Sequence, residues 1–199
     1  MDKRTIYTYN KLAREYDQET TGFWKDFPTH MLDRFVDALP NIQVLNLGSG
    51  PGRDGLLLKQ RGCDVTCLDA SREMVNMCKT RGLMAAEGDL LSLPFPDHSF
   101  GGVWAYTSLL HIHKTEMPHA LAETRRVLTP DGVFAIGMIE GDGELYRESF
   151  GVCLPRLFAL YAKEELEELL QNAGFTVTYF ETIQPRTKTY LHIIAIPQY

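Results

Sequence analysis

The chain has 199 residues, of which 44% are hydrophobic, and it carries a formal net charge of −6 at pH 7. This length fits one domain, residues 1–199, and the negative charge argues against a nucleic-acid backbone as the main partner. No apolar run approaches the roughly 20 residues of a membrane span, the N-terminus lacks an apolar signal core, and the four cysteines show no CxxC spacing, so we expect a cytoplasmic protein with reduced thiols and no membrane partner.

The first 40 residues predict a helical cap. Apolar residues at helical spacing predict an amphipathic helix near the N-terminus: Tyr9, Leu12, Ala13 and Tyr16. A second helix is predicted after Pro28, a residue that suits a first helical turn, by Leu32, Phe35, Val36 and Leu39.

The segment VLNLGSGPGRDGLLL, residues 44–58, is the most informative part of the chain. An apolar strand pattern stops at a turn that contains Gly48, Gly50 and Gly52, and a helical pattern follows. Ligands of open α/β sheets bind outside the carboxyl ends of the strands, and glycines let the main chain turn sharply and approach a ligand closely. The segment therefore predicts a ligand-binding loop; the alternative is an ordinary turn that enters a helix.

A dinucleotide-binding fingerprint competes for the same residues, because Gly50–Gly55 satisfies GxGxxG. The register of the glycines argues against it. The strand ends near Leu47, so the turn glycine is Gly48, and a fingerprint that starts there has Arg53 in place of its third glycine. The pattern alone is weak support for a dinucleotide.

Two acidic residues follow the next two strand patterns. Cys63–Leu68 ends in Asp69, and Leu83–Glu87 leads to Asp89. Both acids fall on the loop side of the predicted sheet, where a carboxylate can accept hydrogen bonds from a ribose diol. Each could instead serve locally, Asp69 as a charge at a helix N-terminus and Asp89 as a turn former.

The remaining elements alternate between helix and strand. We predict helices near Arg53–Arg61, Ser71–Arg81 and Thr115–Leu128, a turn at Thr129–Gly132, a fifth strand Val133–Ile139, a final helix Lys163–Ala173, and paired strands Phe175–Ile183 and Tyr190–Ile196. This order predicts an α/β fold: a doubly wound, Rossmann-like, seven-stranded and mostly parallel sheet, with an antiparallel C-terminal hairpin and helices on both faces.

Several segments, in this order, resemble a class I S-adenosylmethionine-dependent methyltransferase: VLNLGSGPG, VTCLDAS, EGDLLSLPFPDHSFGGVWAYTSLLHI, ETRRVLTPDGVFAIGM and EELEELLQNAGF. The resemblance covers nearly the whole chain from about Tyr9. Its most specific parts are the glycine loop and the LPFPD stretch with the strand that follows. Two residues depart from the family pattern. Asn46 stands where the strand before the loop usually has an acid, and Gly101 replaces the usual aspartate after Phe100.

The resemblance implies S-adenosyl-L-methionine as the cofactor. It implies that the glycine loop bends round the methionine portion, that Asp69 holds the ribose hydroxyls, that Asp89 and Leu90 flank the adenine, and that Ala105 or Tyr106 lies beside the methionine end. The full predicted cofactor set is Gly48, Ser49, Gly50, Gly52, Arg53, Asp69, Ala70, Met74, Asp89, Leu90, Ala105, Tyr106, Tyr9 and Tyr16. Methyl transfer requires no metal, and His111-Ile112-His113 lacks an evident third ligand, so we predict no metal site.

His111 is the predicted general base, because imidazole titrates near neutrality and the fourth strand delivers it to the loop side. The alternative is a polar residue that caps or lines its loop. Residues 140–162, which include Phe150, are predicted to be a long irregular insertion that covers the substrate. The alternative is that the aromatic side chains of this insertion simply pack against the sheet edge. The predicted substrate residues are Trp24, Tyr146, Arg147 and Arg156, and the two arginines suit an anionic group.

The sequence thus favours a methyltransferase, monomer or homodimer, that acts on a small-molecule methyl acceptor by in-line displacement. An Asn/Asp-Pro-Pro-Tyr signature of nucleic-acid methylation is missing, since the fourth strand ends in Ala-Tyr-Thr-Ser. Two alternatives stay open. One is an NAD-dependent oxidoreductase, which the glycine pattern alone would permit, and the other is a non-catalytic relative that binds the cofactor.

Overall fold

The computed structural model describes residues 1–25, 27, 29–149, 152–185 and 187–198. Pro28 and Phe150 lie outside them. The described residues form seven α-helices, a short 3-10 turn and nine strands. In chain order these are α1 Lys3–Lys11, α2 Ala13–Lys25, α3 His30–Asp37, β1 Gln43–Leu47, α4 Arg53–Gln60, β2 Asp64–Asp69, α5 Arg72–Thr80, β3 Met84–Glu87, β4 Phe100–Tyr106, the 3-10 turn Leu109–His111, α6 Met117–Val127, β5 Leu128–Ile139, β6 Glu144–Ser149, β7 Val152–Ala159, α7 Lys163–Asn172, β8 Phe175–Ile183 and β9 Tyr190–Pro197.

The main sheet has the strand order β3-β2-β1-β4-β5-β9-β8. Neighbours from β3 to β5 pair in parallel, and β9 runs antiparallel to both β5 and β8. The strand order reverses direction between β1 and β4, so a crevice opens outside the carboxyl ends of these strands. The predicted fold class is confirmed, including its antiparallel C-terminal hairpin.

Both faces of the sheet are covered. All seven residues of β4 are buried, which explains why this strand reads as a continuous apolar run. Apolar residues of α6 and α7 pack in a core on one face, while α3 and α4 contribute to a core on the other. Gly101, the second departure from the family pattern, lies against Asn41: a Cβ at position 101 would lie 2.4 Å from the Asn41 side-chain oxygen.

The N-terminal helix predicted as one element is two helices, because the chain breaks at Leu12 between α1 and α2. The backbone N–H of Leu12 still closes the last turn of α1 on the Thr8 carbonyl. Tyr9 and Tyr16 therefore belong to different helices, and their rings meet edge to face with centroids 5.2 Å apart. Helical spacing alone could not show this break, since the periodicity continues through it.

The predicted irregular insertion is instead an antiparallel ribbon of β6 and β7, separate from the main sheet. Burial alternates along β6: Leu145 and Arg147 are half-buried, and their neighbours are exposed. This period of two is typical of a strand, but Arg147 obscures it in the sequence because a half-buried arginine reads as polar.

The predicted turn Thr129–Gly132 is also part of a strand, since β5 begins at Leu128. Phe100 pairs with Leu128 and Gly102 with Val133, so β5 has four residues where β4 has one. Residues 129–132 therefore form a bulge in β5, and turn-forming residue types are compatible with a bulge.

Candidate active site

The glycine loop lies at the carboxyl end of β1, as predicted. The backbone N–H groups of Gly48 and Ser49 donate to the Leu68 carbonyl at 2.8 and 3.1 Å, which joins the loop to the end of β2. Ser108, just beyond β4, donates its hydroxyl to the Leu47 carbonyl at 2.7 Å. The ends of three strands are therefore fixed together around this loop.

Positive backbone φ angles explain the glycines: Gly48 has φ +69°, Gly50 +51° and Gly52 +84°. A Cβ at Gly48 would lie 2.3 Å from the Ser108 Cβ, whereas a Cβ at Gly50 would meet only Tyr16, at 3.9 Å. The main chain at Gly50 is thus open to a ligand. Helix α4 begins at Arg53, so Gly55 lies inside its first turn.

Asp69 at the end of β2 holds the loop. Its two carboxylate oxygens accept from the backbone N–H groups of Gly50 and Ser71, each at 2.8 Å. Burial raises the pKa of Asp69 to about 6, although hydrogen bonds from Ser71 and Gly50 oppose the shift. A desolvated carboxylate beside an open main chain has free lone pairs for hydroxyl donors, so it fits a ribose diol.

A second buried acid, Asp54 in the first turn of α4, was not predicted. It accepts hydrogen bonds from the Asn46 amide at 2.8 Å, the Trp104 indole at 3.1 Å and the Gly55 backbone at 2.9 Å. Burial raises its pKa to about 6. Asn46, which stands where the family pattern usually has an acid, thus donates to a carboxylate eight residues later. The sequence signal was an acid in the first turn after the loop.

These residues enclose an inner cavity of about 50 Å³. The predicted residues that line it are Tyr9, Tyr16, Trp24, Gly48, Ser49, Gly50, Arg53, Asp69, Ala70, Met74, Leu90, Tyr106 and His111. It is also lined by residues that were not predicted: Met1, Pro51, Asp54, Thr107 and Ser108.

Other predicted residues lie outside the inner cavity wall. Gly52 is the N-cap of α4, and Ala105 is fully buried within β4. The side chain of Asp89 is 52% exposed and lies 3.5 Å from the amino group of Met1. Tyr146 is exposed and donates to Asp2 at 2.9 Å, so it joins the ribbon to the start of α1.

Arg53 and Arg81 both bind Asp17 and so attach α2 to the loop region. The Arg53 guanidinium donates to the Asp17 carboxylate at 2.8 Å and to Thr21 at 2.8 Å, and Arg81 donates to both Asp17 carboxylate oxygens at 2.8 and 2.7 Å. Such charge-assisted pairs are the stronger kind of hydrogen bond. The helical cap is therefore held over the inner cavity from the side of α4 and α5.

An outer cavity of about 350 Å³ adjoins the inner one. The two share five lining residues: Tyr9, Tyr16, Trp24, Thr107 and His111. Arg156, Phe158, Lys188 and Glu19 line only the outer cavity. Two ligands could therefore meet at the shared residues, one from each cavity.

Tyr9, His111 and Arg156 form a hydrogen-bonded chain at this junction. His111 Nδ1 lies 2.6 Å from the Leu157 carbonyl, which only accepts, so Nδ1 carries the hydrogen and Nε2 accepts from the Tyr9 hydroxyl at 2.8 Å. Arg156 donates to the Tyr9 oxygen at 2.8 Å. Burial, and then the Arg156 charge, lower the pKa of His111 to about 3, so the imidazole is neutral at pH 7.

Helix α1 and strand β7 are hydrogen-bonded to each other at this junction of the two cavities. On α1, Thr8 donates its hydroxyl to the Pro155 carbonyl, and the Thr5 hydroxyl accepts from the Leu157 backbone N–H, each at 2.8 Å. Helix α1 and strand β7 thus close over the junction as one unit.

The Tyr106 ring faces the inner cavity, but its hydroxyl is engaged within the protein. It lies 2.8 Å from His192 Nε2, and His192 Nδ1 lies 3.1 Å from Glu181. Because the Glu181 carboxylate accepts from Nδ1, Nε2 accepts from the Tyr106 hydroxyl. This network fixes the ring as part of the cavity wall.

Among the described residues, no group of three or more His, Cys, Asp or Glu side chains has the arrangement of a metal site. No helix in the same part of the chain is both long and apolar enough to cross a membrane.

Comparison with known proteins agrees with this geometry. A family described as a methyltransferase domain matches residues 45–136. The malonyl-[acyl-carrier protein] O-methyltransferase of Geobacter sulfurreducens is 28% identical over 193 residues, which cover 88% of this chain and 71% of that protein. The 27-O-demethylrifamycin SV methyltransferase of Amycolatopsis mediterranei is 27% identical, with 84% and 70% covered. The chain spans only 26% to 37% of the length of three other curated relatives.

Solved structures share the fold. The DhpI–SAH complex superposes with a TM-score of 0.81 at 22% identity, over 98% of this chain and 96% of DhpI. The 1,6-didemethyltoxoflavin-N1-methyltransferase of Burkholderia thailandensis, with bound 1,6-didemethyltoxoflavin and S-adenosylhomocysteine, gives a TM-score of 0.73 at 23% identity, over 98% and 88% of the two chains. The family match over residues 45–136 and the shared fold are consistent with a class I S-adenosylmethionine-dependent methyltransferase.

Proposed function

We propose that this protein transfers a methyl group from S-adenosylmethionine to a small molecule. The observation that carries the proposal is the junction of two cavities at Tyr9 and His111, with a glycine loop and a buried carboxylate on one side. When bound, the cofactor supplies a methyl group on a positively charged sulfonium, and transfer requires mainly that two reactants are held close together with water excluded. Two adjoining cavities under a common cover suit that requirement.

The inner cavity offers each portion of the cofactor a matching partner. Asp69 would accept from the ribose hydroxyls, while Leu90 and Met74 supply apolar surface for the adenine. Asp54 would attract the ammonium group, as the only carboxylate besides Asp69 among the described residues that line this cavity. The rings of Tyr16 and Trp24 offer cation–π attraction to a sulfonium.

We further propose that Tyr9 and His111 act as a pair on the acceptor. Neutral His111 accepts a hydrogen bond from the Tyr9 hydroxyl at Nε2. The Nε2 lone pair can therefore act on the methyl acceptor only through that hydroxyl, or after the hydroxyl moves. A proton released by the acceptor would pass to Nε2 by this route. With so low a pKa His111 is a weak base, so its main contribution would be to orient the acceptor.

A ligand screen by thermal shift tests the cofactor against the oxidoreductase alternative. S-adenosylhomocysteine at 100 times its Kd is expected to stabilise the protein by about 2.7 kcal/mol, which is roughly a 5–10 °C rise in Tm for a chain of this size. NAD at the same concentration should leave Tm unchanged. A rise with NAD but not with S-adenosylhomocysteine would reverse the assignment.

Catalysis is tested separately by transfer of a labelled methyl group from S-adenosylmethionine to a pool of small metabolites. We expect label in a small-molecule product. If the protein binds S-adenosylhomocysteine but labels nothing in pools from several sources, the non-catalytic alternative becomes the better explanation.

The affinity for S-adenosylhomocysteine is expected to fall in acid. Asp54 and Asp69 both have pKa values of about 6 in the protein, and their charged forms are the ones that suit an ammonium and two hydroxyls. Protonation should weaken binding by about tenfold per carboxylate between pH 7.5 and pH 5. Isothermal titration across this range measures the slope, and Asp54→Asn should remove about half of it. An affinity independent of pH would contradict both assignments.

The same two carboxyl groups give the free energy of unfolding of the ligand-free protein the opposite pH dependence: their contribution decreases as the pH rises. Both pKa values are raised above the unfolded value of 3.8, so the folded protein binds more protons between pH 4 and 6. Their contribution to stability is therefore present at low pH and is lost as the pH rises through 6.

A further inference from the structure

Three cationic side chains lie around the Phe158 ring; Arg156 and Lys188 line the outer cavity, whereas Arg147 lines neither cavity. The charged groups of Arg147, Arg156 and Lys188 lie 5.0, 5.3 and 5.7 Å from the centre of the Phe158 ring. Arg147 and Arg156 are direct cross-strand partners on the β6–β7 ribbon. Like charges directly opposite each other destabilise a strand pair, so this arrangement needs a compensating interaction.

Two of the three cations, Arg147 and Lys188, lack an acidic partner within ion-pair distance in the described part of the chain. Burial, together with the charges of Arg147 and Arg156, lowers the pKa of Lys188. The acidic residue among those that line the outer cavity is Glu19, exposed on α2. Cations therefore outnumber acids at this end of the cavity.

The cations are also connected to the junction of the two cavities. Arg156 donates to the Tyr9 hydroxyl, which in turn binds His111. An anion held between Arg156 and Lys188 would thus lie beside the hydrogen-bonded chain that faces the inner cavity. Phe158 supplies an apolar surface next to it, which suits the carbon skeleton of a small acid.

We propose that the methyl acceptor is a small anionic molecule, and that its carboxylate or phosphate-type group binds between Arg156 and Lys188, with Arg147 adding to the positive field. This inference rests on the proposed function and deepens it by giving the chemical class of the acceptor. Arginine forks and lysine ammonium groups recognise carboxylate and phosphate oxygens alike. The shared chemistry is an oxyanion, and the two sources are separated by experiment.

The first test uses simple anions as probes and needs no catalysis. Inorganic phosphate and ¹³C-acetate are titrated by NMR into the protein, with and without S-adenosylhomocysteine, at constant ionic strength set with chloride. We expect weak binding that Arg147→Gln/Lys188→Gln reduces by about tenfold or more. The matched control is Arg34→Gln/Lys163→Gln, since Arg34 and Lys163 also lie over aromatic rings, at 4.7 and 4.4 Å, but line neither cavity.

The titration results decide whether the anion site exists. Equal binding of phosphate and acetate by wild type and the Arg147/Lys188 variant, or an equal loss in the control, overturns the anion site. The stronger of the two probes indicates whether carboxylate or phosphate is preferred.

The second test fractionates a metabolite pool by anion exchange before methyl transfer. We expect label only with the retained fraction, and the Arg147/Lys188 variant should raise KM for that fraction more than it lowers kcat. Label only with the unretained fraction overturns the anionic acceptor. No label with either fraction counts against the proposed function, while the phosphate and acetate titrations still decide whether the anion site exists.

Discussion

Gly48→Ala is expected to lower the free energy of unfolding by about 3 kcal/mol and to abolish binding of S-adenosylhomocysteine. Alanine at φ +69° costs roughly 1 kcal/mol or more, and its Cβ would overlap the Ser108 Cβ at 2.3 Å. Overpacking of this kind typically adds 1–3 kcal/mol. Ser108 is hydrogen-bonded to the Leu47 carbonyl at the end of β1, and the glycine loop is hydrogen-bonded to the Leu68 carbonyl at the end of β2. The overlap can therefore be relieved only if the loop itself moves.

Gly62→Ala is the matched control for Gly48→Ala. Gly62 also has a positive φ, +88°, but nothing lies within 4 Å of its Cβ position. It should therefore show only the backbone strain, about 1 kcal/mol, with unchanged ligand affinity. Chemical denaturation and isothermal titration measure both quantities. If the two variants lose equal stability and both still bind ligand, the close contact with Ser108 has no role in shaping the loop.

Asp69→Asn is expected to weaken binding of S-adenosylhomocysteine by about 100-fold, which corresponds to roughly 2.7 kcal/mol. The carboxylate accepts from Gly50 on one oxygen and from Ser71 on the other. An asparagine amide nitrogen cannot accept, so one backbone donor would face another donor and the loop would lose its anchor. The charge that suits the ribose hydroxyls is lost as well.

Asp64→Asn provides the control, because Asp64 begins the same strand at its far end and is exposed. Its affinity for S-adenosylhomocysteine should stay within twofold of wild type, as measured by isothermal titration. Asp89→Asn is an informative third variant: the resemblance implies a role beside the adenine, whereas an exposed carboxylate outside the cavity wall is expected to change affinity little. An Asp69→Asn protein that is folded and binds within threefold of wild type would contradict the assignment.

The sequence by itself determined the sheet, the position of the glycine loop and the position of Asp69 at a strand end, because each follows from local order along the chain. A strand, a glycine turn and a helix occur within residues 44–58, and parallel strands must bring their carboxyl ends to one edge. The sequence also predicted Arg147 and Arg156 as substrate residues, but not that they lie opposite each other on the β6–β7 ribbon. Residue types and spacing carry this information, because preferences for strand, turn and helix are set by neighbouring residues along the chain.

Only the tertiary structure decided which side chains meet. Asp54 lines the inner cavity in a buried setting, where Trp104, 50 positions away, donates to it. The junction brings Tyr9 to His111 across 102 positions and to Arg156 across 147. Desolvation and such contacts set the pKa values and the hydrogen-bond roles of these groups. They arise only when the cap, the ribbon and the sheet are packed together, so no local pattern encodes them.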